Sequence, residues 1–126
     1  MAQTKIFTDQ IVDPVQTKTG ATGTVVHDVK LGAIFHHSSI AANFTANFTN
    51  VPTTNNRAVT LVFFLIQGAA PYAPTAVQIE GVSQTINWAN NTAPTPVANK
   101  KEVAAFTLVR TGSTWLVLGN YSSYGA

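Results

Sequence analysis

The side chains able to do acid–base or metal chemistry are few: His27, His36 and His37, and the acids Asp9, Asp13, Asp28, Glu80 and Glu102. General acid–base catalysis needs a carboxylate or an imidazole held against a partner. His36 and His37 are adjacent, so on a strand they point to opposite faces and cannot readily share a metal ion. His27 and Asp28 are split the same way. The histidines therefore read as surface or interface residues, although a homotrimer could gather three copies of one of them on its axis. Asp9 and Asp13 lie near the N terminus, and Glu80 stands beside Gly81 in a turn. No Gly-x-Ser-x-Gly elbow, phosphate-cradling glycine loop or metal-spaced His/Glu motif is present. The sequence has no cysteine, which excludes disulfides, thiolate nucleophiles and zinc–thiolate sites. No catalytic residue, cofactor or metal is assigned, and the chemistry points to a protein that is not an enzyme. Trp88 and Trp115 could form a sugar platform. Each sits at the edge of an apolar run, where large aromatics ordinarily pack into a core or an interface.

The elements that would position such residues follow from composition and periodicity. A chain of 126 residues fits one domain able to bury a core. Hydrophobic residues make up 45% and charged residues only 10%, against about 25% charged in an ordinary soluble domain. So little charge points to a surface largely covered by partners. The net charge of +2 arises from few acids rather than a basic patch. Lys100-Lys101 is the one adjacent basic pair, so nucleic acid is not an expected partner. The first ten residues lack the apolar stretch of a signal peptide. The longest apolar run, Val59–Ile66, is far shorter than the roughly 20 residues of a membrane helix. Synthesis in a cytosol and no membrane partner are the corresponding expectations.

Along the chain, residues 1–23 are polar with apolar anchors at Ile6, Phe7, Ile11, Val12 and Val15. They read either as an extended arm that clamps a neighbouring subunit or as a first edge strand of the domain's own sheet. Residues 24–126 read as the folded domain. Thr24–Phe35 predicts one strand and the start of another, with a turn at Gly32. In Asn43–Thr49, Phe44, Ala46 and Phe48 alternate with Thr45, Asn47 and Thr49, the period of a half-buried strand. That alternation also accounts for two glycosylation-type triplets, Asn43-Phe44-Thr45 and Asn47-Phe48-Thr49. Ala58–Gln67 reads as a central strand covered on both faces. Ala76–Ile79 and Val82–Trp88 pair around Glu80-Gly81, loops span 68–75 and 89–101, and Gly119–Ala126 reads as a small-residue tail. Val103–Val109 and Trp115–Leu118 flank a polar turn, a hairpin signal. Seven or eight short strands and no helix predict an all-β fold: a single antiparallel β-sandwich, jelly-roll-like, with an extended N-terminal arm.

Several stretches together resemble a family. They are Gly32–Pro52 (GAIFHHSSIAANFTANFTNVP), Ala76–Ile79 (AVQI), Ile86-Asn87-Trp88, Ala93–Pro96 (APTP), Phe106–Gly112 (FTLVRTG) and Trp115–Gly119 (WLVLG). This pattern, over about residues 22–125, resembles the β-rich virion structural modules of tailed bacteriophages, cyanophages in particular. The resemblance implies a virion protein made in the bacterial cytoplasm and no catalytic residues. Its partners would be the major capsid protein or other virion proteins, and copies of itself, as a homotrimer. A capsid decoration (cement) protein is the first expectation, with Ile6, Phe7, Ile11, Val12 and Val15 as its partner-binding residues. The alternative is a tail-fibre or appendage head that binds a host receptor or surface glycan through the loops 68–75 and 89–101.

Overall fold

The computed structural model describes residues 12–125. Ten strands form two sheets that pack face to face as a β-sandwich. They are β1 (Val15–Thr19), β2 (Gly23–Asp28), β3 (Ile34–Ser38), β4 (Phe44–Thr49), β5 (Arg57–Ile66), β6 (Pro74–Ile79), β7 (Val82–Gln84), β8 (Ile86–Trp88), β9 (Lys101–Thr111) and β10 (Thr114–Tyr124). Among the described residues the only helical elements are single 3-10 turns at Val29–Leu31 and Ala89–Asn91.

The six-stranded sheet has the order β1-β3-β5-β9-β10-β8, and the four-stranded sheet β2-β4-β6-β7. Through β6 the chain crosses to the other sheet after every strand, so consecutive strands never pair. Strands one apart in sequence then run the same way: β1–β3, β3–β5, β2–β4 and β4–β6 are all parallel. Antiparallel pairing is confined to β5–β9, β9–β10 and β6–β7. The sheets are therefore mixed, which corrects the wholly antiparallel expectation. Short strands with turn residues between them look the same whether the chain folds back within a sheet or crosses to the opposite one.

Further differences have local causes. Val15–Thr19 pairs with β3 as the edge strand of the six-stranded sheet. Val82–Trp88 is not one strand: β7 ends at Gln84, and after Thr85 the chain joins the other sheet as β8, parallel to β10. The hairpin is longer than its apolar runs, and the predicted tail 119–124 is strand. Its turn is Gly112-Ser113, both at left-handed φ (54° and 63°), the backbone of a two-residue turn that matches strand twist. The Asn55 side chain accepts from the Ser113 N–H at 2.9 Å and braces that turn.

The core is aromatic. Phe35, Phe44, Phe48, Phe63 and Phe106 are buried, with Leu61, Leu65, Leu108, Val77 and Val117 around them. The alternation predicted for Phe44, Ala46 and Phe48 is observed, these three being buried. Gly119 shows why a glycine is needed late in β10. A Cβ there would stand 2.6 Å from Cε3 of Trp88. The bare backbone lets the indole lie over Gly119 and reach Phe106, ring centroids 5.7 Å apart.

Two histidines expected at a surface or interface belong to this core. His27 on β2 and His37 on β3 are fully buried, and their Nε2 atoms lie 2.9 Å apart across the sandwich. One ring must donate its Nε2–H and the other accept, so the neutral pair holds opposite tautomers. Adjacency in sequence misses the pair because it forms between strands of different sheets. His36, on the other side of β3, faces outward.

Candidate functional site

The two outer faces of the sandwich differ in chemistry. On the four-stranded sheet, pairing and alternation place Thr24, Thr45, Asn47, Thr49 and Gln78 outward, with Val26 and Ala76 among them. That face is mostly polar and suited to water. On the six-stranded sheet the outward rows are Val15–Ile34–Val62–Ala105–Asn120 and Thr17–His36–Phe64–Val103–Ser122, followed by Thr60–Thr107–Leu118 and Ala58–Val109–Leu116. Phe64, Leu116 and Leu118 are 38%, 45% and 43% exposed. Lys101 is the only formally charged side chain on these rows or the row at their end, where it pairs with Ile66 and Tyr124.

β5 is thus central, as predicted, but only Leu61, Phe63 and Leu65 enter the core. Among the described residues nothing covers its other face, where Val62 and Phe64 point outward. The signal was in the sequence. Val59–Ile66 and Val103–Val109 are apolar at both odd and even positions, which a strand with one wet face does not need.

The face has relief. One hollow of about 440 Å³ lies over Val103, between Phe64, Ile66, His36 and Tyr124. A second, of about 430 Å³, lies over Ala105 and Thr107, bordered by Leu118, Asn87 and Trp88. Phe64 and Tyr124 border the first hollow and Leu118 the second.

Of the sequence-predicted partner-binding residues, Ile6, Phe7 and Ile11 lie outside the described residues. Val12 and Val15 are 68% and 49% exposed. Val15 begins the row that continues through Ile34 and Val62, so it is contiguous with the apolar face. Val12 precedes the first strand and is not on it.

At one end of the sandwich a polar cluster ties down the loops. Glu102 is buried, and its Oε1 accepts from the Tyr121 hydroxyl (2.7 Å), Gln67 Nε2 (3.0 Å) and the Val97 N–H (3.1 Å). Gln67 Nε2 also donates to the Tyr72 carbonyl (2.6 Å), while the Tyr72 N–H donates to Gln67 Oε1 (3.0 Å). Both loops, 68–75 and 89–101, are therefore pinned through one carboxyl. Burial and then the Glu102 contact push the Tyr121 phenol well above its ordinary pKa. Removing Glu102 takes the acceptor from the Val97 N–H and the Tyr121 hydroxyl, each costing about 1–3 kcal/mol if left buried and unpaired, while Gln67 Nε2 keeps the Tyr72 carbonyl and the Tyr121 oxygen. The two freed donors will regain some water at this end of the molecule. Glu102→Ala is therefore expected to lower stability by about 2–3 kcal/mol in urea unfolding. A loss below a few tenths of that would show the cluster to be dispensable.

Beside this cluster is an open hollow of about 390 Å³, lined by Trp88, Asn90, Pro94, Thr95, Asn120 and Tyr121, uncharged throughout. Among the described residues no group of three or more His, Asp or Glu side chains is placed to hold a metal ion. No helix among them is long and apolar enough to cross a membrane. Comparison with family models, curated proteins and solved structures gave no match to this chain.

Proposed function

We propose that this chain is a non-enzymatic phage virion structural protein, a decoration protein that stabilises the head by contacts between subunits. The observation that carries it is the largely apolar outer face of the six-stranded sheet, with Lys101 at its end, exposed opposite a more polar face on the other sheet. Such a surface suits a unit of an assembly better than a free monomer. The resemblance of residues 22–125 to virion modules supplies the setting. Decoration would add contact area across junctions between capsomers and so resist the pressure of packaged DNA. Each 100 Å² of apolar surface buried would contribute roughly 2–3 kcal/mol before association costs. An extended N-terminal arm bearing Ile6, Phe7, Ile11 and Val12 is the proposed contact with the major capsid protein.

Deleting residues 2–11 is expected to leave the domain folded, because β1 starts at Val15, and to abolish co-sedimentation with undecorated heads. Unchanged binding by the truncated protein would refute the arm contact. Occupancy per particle, by quantitative gel, would match the scale of the major capsid protein. A few copies per particle would favour the other reading, a tail-fibre or appendage head binding a host glycan. The specific support for that second reading is the uncharged hollow at Trp88, Asn90, Thr95 and Asn120. Aromatic and neutral hydrogen-bonding groups converge there as a sugar would need.

A further inference from the structure

The outer face of the six-stranded sheet carries more information than its exposure. Among the described residues it carries no acid and no arginine and a single lysine, Lys101, at its end, so charge gives a partner little to select by. Its rows span β3, β5, β9 and β10. At roughly 4.8 Å between strands and 3.3 Å per residue, the apolar part measures roughly 15–20 Å by 30 Å. With side-chain relief, that is roughly 600–800 Å², near the 800 Å² per partner of a standard stable interface. Neither too small for a stable pair nor large enough to need several partners, it matches one flat contact.

Its relief is also self-complementary in kind. Two hollows, about 440 and 430 Å³, lie along β9, the first beside Phe64 and the second beside Leu118. Their floors are the small side chains Val103 and Ala105. A two-fold axis lying in the plane of the contact presents these raised aromatic and aliphatic side chains to hollows of similar size on the other copy. The same patch can then meet itself, as isologous contacts require. Two sheets meeting this way would pack about 10 Å apart, as the two sheets within each subunit do.

From this we infer that the outer face of the six-stranded sheet is an interface between two copies of this chain, which pairs them rather than joining them in the expected trimer. Phe64 and Leu118 are the raised side chains that enter the partner's hollows, and His36, Val62, Val103 and Ala105 line the contact. The interface rests on the reading of the chain as an assembly unit, but it assigns a partner and a surface that the capsid contact does not. Tyr124 and Lys101 would form its rim. Because Lys101 is the only formal charge there, association should depend little on salt.

The test uses the purified full chain alone, so that its outcome is independent of particle binding. Light scattering coupled to gel filtration, over a range of concentrations, is expected to give an oligomeric mass. Phe64→Lys places a cation in the centre of the face and is expected to weaken association about 100-fold, as loss of a buried aromatic anchor does. Leu118→Lys repeats the test on β10, two strands away, should the first variant fold poorly. Thr45→Lys, on the polar face of the other sheet, should leave the mass unchanged. Circular dichroism checks that each variant folds. A wild-type protein that stays monomeric at every concentration overturns the inference, as does an oligomer that survives both substitutions. A monomer that still binds heads through residues 2–11 would remove this interface and leave the proposed function standing.

Discussion

Phe63→Ala is expected to cost about 3–5 kcal/mol, the range for truncating a buried aromatic in a core that cannot collapse around the gap. Phe63 is fully buried on the central strand, and its ring lies 5.3 Å from Phe35, 5.8 Å from Phe48 and 5.5 Å from Phe106, all near-perpendicular. It also stacks on His27, centroids 4.6 Å apart. These neighbours come from both sheets, so no single strand can shift to fill the space. A domain of this size is stable by about 5–15 kcal/mol, so the variant should sit near the edge of folding. Urea midpoints at neutral pH, with Thr45→Ala as a surface control, measure the difference. Equal losses in the two variants would mean that the aromatic cluster does not hold the sheets together.

The sandwich and its inward residues were readable because the period of two is local. Phe44, Ala46 and Phe48 announce their shared face within five residues, and the hairpin announces itself through Gly112. Strand partners were not readable. Whether β2 pairs with β3 or crosses beneath it depends on residues far away, which is why parallel pairing went unseen. The candidate surface was half visible. Apolar residues at both parities of Val59–Ile66 were read as a strand covered on both faces, but the chain itself covers only the face of Leu61, Phe63 and Leu65. Glu102 left no signal, since its partners Gln67, Val97 and Tyr121 are brought to it by three separate segments.

Acid is expected to unfold the protein through the His27–His37 pair. Burial, then the neighbouring His37 and Lys18, hold His27 down to about 3 from 6.5, with the Val25 carbonyl pulling weakly the other way. Burial, then Lys18 and His36, hold His37 down to about 4. In the folded chain both rings stay neutral where the unfolded chain already takes protons. The sign follows: the pair's contribution is complete above pH 6.5 and is lost as the pH falls through the range down to about 4 and then 3. Each unit is worth about 1.4 kcal/mol per group. Between roughly pH 6.5 and 4.5 the two together should remove on the order of 3–5 kcal/mol, a large share of the total. The geometry supports this direction, because a second proton would break the 2.9 Å Nε2–Nε2 contact and set two charges against each other. Replacing both histidines by leucine removes the titration and both polar partners at once, a change that is often close to neutral for stability. The double variant should have a urea midpoint nearly independent of pH across this window. A wild-type midpoint that stays flat from pH 7 to 4.5 would rule the pair out as the acid-sensitive element.

The crossing of the chain between sheets has a consequence for the order in which the protein can assemble as it is synthesised. As far as β6, a strand that leaves the ribosome cannot pair with the one just made: β1 waits for β3, and β2 waits for β4. β5 gains its first neighbour from β3, but its other edge stays open until β9 emerges, beyond the long loop 89–100. The middle of the larger sheet therefore remains a bare template until nearly the whole chain is out. The last step is then the docking of a ready-made hairpin, β9–β10, which can form by itself from adjacent residues. Early truncation or stalling would leave a parallel half-sandwich with an unpaired aromatic strand at its edge, the kind of surface that recruits other unfinished chains.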